Sequence, residues 1–193
     1  MPEPANDPID PDAIGGGSEA GPRRASTILR WAVIGVLAVG LALFYVLTAG
    51  AEELSGKVVR VADGDTITVL DPGNKQHKIR LMGIDAPEKG QAFGNVSRES
   101  LASLVSGRNV VVEWHKRDRY GRLVGQVFAD SHDVGLFQIE RGMAWHYKAY
   151  EREQRPDDAQ AYAQAETAAK AARRGLWADP SPVPPWELRR ARN

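Results

Sequence analysis

The stretch Lys57–Glu88, KVVRVADGDTITVLDPGNKQHKIRLMGIDAPE, decides the fold. Two β-branched runs, Lys57–Val61 and Asp65–Leu70, flank the turn-forming group Ala62-Asp63-Gly64 and predict a hairpin. A second turn, Asp71-Pro72-Gly73-Asn74, leads into a third strand at His77–Ile84. Side chains alternate along a strand, so Ile79, Leu81 and Gly83 share one face while Lys78, Arg80 and Met82 share the other. That strand stops at Asp85-Ala86-Pro87-Glu88.

Outward from this unit, Asn95–Val105 carries Val96, Leu101, Leu104 and Val105 at helical spacing and ends near Gly107, which predicts a helix. Two further strands, Val110–Trp114 and Leu123–Ala129, surround a charged turn at Lys116–Arg122. The C-terminal third predicts helices at Val134–Arg141, closed by Gly142, and at Pro156–Arg174, closed by Gly175. From Pro180 the chain is a Pro-rich tail or strap. Five short strands with a helix after the third and helices at the end fit a β-barrel with helices (α+β), a five-stranded Greek-key barrel of the OB type, better than a sandwich.

The N-terminal portion reads differently. Residues 1–29 are Pro-, Asp-, Gly- and Ala-rich without a period, as expected of a solvated cytoplasmic tail. Trp31–Ala51, WAVIGVLAVGLALFYVLTAGA, has no charge, and a helix of this length would span the hydrocarbon layer of roughly 30 Å. We therefore expect one transmembrane helix at 30–51, an exported domain at 52–178 and a Pro/Arg-rich tail at 179–193. Arg23, Arg24 and Arg30 before the run and Glu52 and Glu53 after it set the N-terminus in the cytoplasm. The competing reading is a signal peptide cut after Ala49-Gly50-Ala51, which would release the domain. The run is longer than an ordinary leader core and stands far from the N-terminus, which favours the anchor.

Formal net charge is zero over 193 residues, and the exported portion is only weakly basic, so composition gives no argument for a polyanionic partner. Cysteine is absent, which excludes disulfides and thiolate metal sites. His77, His115, His132 and His146 share no metal-ligand spacing. Three clusters stand out: Asp63-Gly64-Asp65-Thr66, Arg80 through Asp85-Ala86-Pro87-Glu88, and Asp118-Arg119-Tyr120-Gly121-Arg122. Each alone fits an ordinary turn. Together, Asp65, Asp85 and Glu88 can form an oxygen-rich site for a hard cation such as calcium, and Arg80 and Arg122 supply rigid, permanently charged forks suited to phosphate. A cation, a base acting on water and fixed positive charge are what phosphodiester hydrolysis needs.

These motifs, in their order and spacing from about Gly56 to Trp177, resemble those of the thermonuclease (staphylococcal nuclease) family. The resemblance implies Asp65 and Asp85 as calcium-ligating carboxylates, with Ala86 as a further ligand through its backbone carbonyl. A well-known member carries Thr at that position, a difference to which a carbonyl ligand is indifferent. It implies Glu88 as general base, Arg80 and Arg122 as the arginines that grip the scissile phosphate, and cleavage of the P–O5′ bond of DNA or RNA to leave 3′-phosphate ends. The loop after Glu88 is shorter than in the family, leaving only Lys89 near the terminal phosphate of a bound nucleotide. Tyr120, Tyr147 and Tyr150 complete the expected substrate-binding set, with Trp145 and His146 as further surfaces on which a base could stack. Trp177 is expected to pack on the core.

The expected protein is thus a monomeric, calcium-dependent nuclease tethered outside the membrane. The alternative is a non-catalytic OB module that binds nucleic acid or protein. Retention of all five side chains Asp65, Arg80, Asp85, Glu88 and Arg122 favours the enzyme, because clustered carboxylates cost stability unless a cation fills them.

Overall fold

The computed structural model describes residues 52–192, so the tail at 1–29 and the apolar run at 30–51 lie outside the described residues. Among the described residues no helix is long and apolar enough to cross a membrane.

The chain begins with three strands in a meander, β1 (Glu52–Val61), β2 (Thr66–Leu70) and β3 (Gln76–Leu81). Asp63 shapes the first turn: its Oδ1 accepts the Asp65 amide at 3.1 Å, and the Ala62 amide reaches the Thr66 carbonyl at 2.9 Å. A short strand β4 (Ile84–Asp85) and helix α1 (Gly94–Val105) follow, then β5 (Asn109–Arg117), β6 (Leu123–Ala129) and β7 (His132–Asp133). Helix α2 (Val134–Glu140), strand β8 (Trp145–His146), a 3-10 turn at Lys148–Glu153, helix α3 (Pro156–Ala171), a second 3-10 turn at Gly175–Ala178 and helix α4 (Pro185–Arg192) complete the chain.

The large sheet runs β3-β2-β1-β5-β6-β7, and β3 also pairs with β6, which closes five strands into a barrel. The closing seam is parallel, with Ile79 opposite Leu123, Arg80 opposite Val124 and Leu81 opposite Gly125. Inward residues of every barrel strand meet in one core: Val58, Ile67, Val69, Ile79, Leu81, Val110, Val112, Leu123 and Val127 are all at most 2% exposed. Each such side chain contributes about 1.5–3 kcal/mol by leaving water. Leu101 and Val105 of α1 join this core.

The expected strand at His77–Ile84 ends early, at Leu81. Gly83 takes φ +74°, which turns the chain, and a side chain there would collide with Gln154. Ile84 and Asp85 instead pair with His146 and Trp145 of β8. In α1 the buried face is Gly94, Ser97, Leu101 and Val105, while Val96 is 48% exposed. Ser97 faces inward because its hydroxyl donates to the Met143 carbonyl at 2.7 Å, a polar tie that an apolar count does not register. Asp133 caps α2 by accepting the Gly135 and Leu136 amides at 2.8 and 3.1 Å, and it also accepts the buried Tyr162 hydroxyl at 2.8 Å. That knot fixes α3 against the barrel.

Candidate active site

A cleft of about 630 Å³ opens beside the barrel seam, and Asp65, Arg80, Asp85, Glu88 and Arg122 all line it. Arg80 reaches it from β3, where it lies opposite Thr66 of β2. Its guanidinium ties the site together. Nη1 donates to the Leu81 and Ile84 carbonyls at 3.0 and 2.9 Å, Nη2 donates to Asp85 Oδ1 at 2.8 Å, and Nη1 stands 3.2 Å from Asp65 Oδ2.

Asp65 follows directly on the first turn, and the turn is held from behind. Gln138 of α2, fully buried, donates to the Gly64 carbonyl at 2.9 Å and to the Ser97 carbonyl at 3.1 Å. Gly64 is needed there, since a Cβ would run into the Ser97 side chain. Asp65 Oδ2 accepts the Ala86 amide at 2.7 Å, which binds the two acidic segments to each other. Asp85 is set by the β4–β8 pairing and is 1% exposed. Glu88 is half-buried, and its amide donates to Gln91 Oε1 at 3.0 Å.

Arg122 comes from the far side of the cleft, at the end of the loop between β5 and β6. Asp118 organises that loop. Its Oδ1 accepts the amides of Tyr120 and Arg122, both at 2.9 Å, and its Oδ2 accepts Arg122 Nε at 2.7 Å. Although burial pushes the Asp118 carboxyl up, the bonds from Arg122 hold it below the usual carboxylate range. Arg122 Nη1 then lies 3.4 Å from Thr66 Oγ1, whose hydroxyl donates to Asp65 Oδ1 at 3.0 Å. Both cationic forks are thereby linked to the same carboxylate.

Burial is the dominant influence on the acids of the cleft. Burial, followed by the charge of Asp65, pushes Asp63 up to about 7. Burial also raises Asp85, against the lowering influence of Arg189 and Arg80. Arg189 of α4 was not anticipated from the sequence: Nη2 meets Asp85 Oδ2 at 2.7 Å and Nη1 meets Glu88 Oε1 at 2.5 Å. Among the described residues no three acids or histidines converge at metal-ligand distance, and both Asp85 oxygens are paired with arginines, Oδ1 with Arg80 and Oδ2 with Arg189. The donor chemistry nonetheless fits a hard cation: carboxylate oxygens crowded in one cleft, with the Ala86 backbone between Asp85 and Glu88 and no nitrogen or sulfur ligand among them.

Of the expected substrate contacts, Tyr120, Tyr147 and Tyr150 line the cleft, whereas Lys89 is exposed and does not. Tyr120 is 69% exposed, with Arg119 and Arg122 over its ring at 5.1 and 5.5 Å. Tyr150 carries Lys116 over its ring at 5.1 Å. Trp145 and His146 are buried, at 5% and 1% exposure, and offer no surface for a base. Trp145 packs edge-on against Trp177, and His146 is bonded to Gln154 at 2.9 Å. Asp63 was visible as a turn residue, but its place in the cleft follows only from the fold.

Comparison with known proteins agrees with this geometry. The model of the family described as "Staphylococcal nuclease homologue" matches residues 78–179. The chain is 47% identical over 135 residues to an uncharacterized endonuclease of Escherichia coli O157:H7, covering 69% of this chain and 84% of that one. It is 42% identical over 151 residues to an uncharacterized endonuclease of Haemophilus influenzae, covering 78% and 82%. A micrococcal nuclease of Shigella flexneri is 39% identical over 174 residues, covering 84% of this chain and 97% of its own. With the closed barrel, the helices around it and these matches in agreement, the chain belongs to the staphylococcal nuclease homologue family.

Proposed function

We propose that the protein is a calcium-dependent nuclease that hydrolyses the P–O5′ bond of DNA or RNA, leaving a 3′-phosphate and a 5′-hydroxyl. The observation that carries this reading is the gathering of Asp65, Arg80, Asp85, Glu88 and Arg122 from four separate segments into one cleft. In this reading Asp65 and Asp85 hold the cation through their carboxylates and Ala86 through its carbonyl. The cation, when bound, supplies charge neutralisation at a non-bridging phosphate oxygen. Glu88 takes a proton from the attacking water as its oxygen forms the new bond to phosphorus. Arg80 and Arg122 grip the phosphate and neutralise the charge that builds on it, with Arg122 beside the 5′ oxygen, which departs with the P–O5′ bonding pair and takes a proton from solvent water to become the 5′-hydroxyl. Tyr120, Tyr147 and Tyr150 offer faces for bases along the approach.

The apolar run at 30–51 supports a single-pass anchor with the N-terminus in the cytoplasm and the barrel outside it, or a secreted enzyme if the chain is cut after Ala51. The test is hydrolysis of single-stranded and duplex DNA and of RNA by the full chain with calcium, with magnesium and with chelator, alongside Glu88→Gln. Calcium-dependent cutting that falls about 100-fold or more in the variant is expected, the ordinary contribution of a general base. Binding without cutting under every condition would instead identify a non-catalytic OB module.

A further inference from the structure

Helix α4 lies over the cleft rather than trailing from the domain. Its first residue, Pro185, is buried, and the Val183 carbonyl before it accepts Gln91 Nε2 at 2.5 Å. Trp186 and Arg189 are three residues apart and so share one face of the helix. Trp186 stacks on Tyr147, with ring centroids 5.3 Å apart and planes at 15°, and meets Trp145 edge-on at 6.2 Å. Arg189 spans Asp85 and Glu88 through Nη2 at 2.7 Å and Nη1 at 2.5 Å. Glu187 is exposed.

We propose that α4 is a built-in competitor for the active site, in which Arg189 occupies the seat of the cation and Trp186 that of a nucleobase. The inference rests on the cation and base sites of the proposed function. A divalent cation on Asp85 would bring its charge close to a guanidinium that uses the same carboxylate, so the two repel and exclude each other. A base stacked on the Tyr147 face that Trp186 covers would displace the indole. The same helix face thus blocks both, and α4 must lift away before a complex forms. Cation and nucleic acid each favour the open state, so they bind cooperatively: whichever arrives first removes the cost of opening for the other.

The experiment uses the full chain in non-ionic detergent, with Arg189→Gln and Trp186→Ala alongside. Calcium affinity is measured by calorimetry, and hydrogen exchange of residues 180–192 is followed with and without calcium. A helix closed about nine-tenths of the time weakens apparent calcium affinity about tenfold, so both variants are expected to tighten it by roughly that factor. Calcium is expected to speed exchange in 180–192. Trp186→Ala is the decisive arm because it leaves every charge in place. Tightening in Arg189→Gln alone would be a local charge effect and would overturn the proposal, as would unchanged or weaker affinity in both. In either case the calcium site itself would stand. If none of the three chains bound calcium, the cation site of the proposed function would fail and this inference with it.

Discussion

Replacement of Asp118 by Asn tests whether Arg122 acts through its fixed orientation. The carboxylate holds Arg122 Nε at 2.7 Å and the amides of Tyr120 and Arg122 at 2.9 Å. Asn keeps an oxygen for the two amides but turns an NH2 group toward Nε, so a donor faces a donor. A hydrogen bond between charged groups contributes about 1.5–3 kcal/mol when buried. The two side chains are 18% and 26% exposed, so partial screening lowers this to roughly 1–2 kcal/mol. Thermal unfolding should move down by about 3–8 °C. The remaining tie from Arg122, to Thr66 Oγ1 at 3.4 Å, is too long to hold the fork alone. Loss of about 1.4–2.4 kcal/mol of transition-state stabilisation should lower kcat roughly 10- to 50-fold. KM should stay within about threefold, because binding in the ground state is shared with Arg80. Single-turnover cleavage and a melting curve on the same preparation measure both effects. A variant that melted lower yet cut at the normal rate would refute the orientation argument. The wild-type interaction also has a pH signature. Because the Asp118 carboxyl is lowered on folding, its stabilisation is complete above the unfolded value and is lost as pH falls through the folded one, below the usual carboxylate range.

Three other substitutions separate support from chemistry. If the proposed cation site is right, Asp65→Asn should weaken calcium binding by about tenfold or more, read by calorimetry, since it would remove a charged ligand of that site while keeping the acceptor for the Ala86 amide. Gln138→Leu leaves the buried Gly64 and Ser97 carbonyls without their donor, which should cost about 2–3 kcal/mol in denaturant unfolding and weaken calcium binding through the displaced Asp65 turn. Tyr162→Phe removes the hydroxyl bonded to Asp133 and should cost about 1.5–3 kcal/mol. Normal kcat in that variant would show that the α2–α3 knot acts on stability alone.

Local signals made the barrel readable. The Asp63-Gly64 turn, the alternation of Ile79 and Leu81 and the fit of Leu123–Ala129 to β6 each state their structure within a few residues. The early end of β3 is less visible, because the break depends on Gln154 packing over Gly83, far along the chain. Val96 counts toward the apolar spacing of α1 yet faces solvent, because apolarity alone does not register the partner that draws Ser97 inward. The five charged groups of the cleft were found through motifs whose spacing the fold brings together. Arg189 and Trp186 escaped notice for a different reason: an Arg- and Pro-rich terminus looks solvated until the acids and aromatic it contacts are known.

The parallel seam between β3 and β6 also sets when the enzyme can first act. Ile79 and Leu123 pair across more than forty residues, whereas the β1–β2–β3 meander forms from neighbours. Arg80 and Asp65 belong to the meander, but Arg122 joins them only when β6 docks and the ring closes. Nonlocal closure of this kind is slow relative to hairpin formation. Activity recovered during refolding should therefore rise with the last structural phase and not with the first. A chain whose barrel had not closed would hold Asp65 and Arg80 without Arg122 and leave nucleic acid uncut, so closure of the barrel would itself act as the safety on a degradative enzyme.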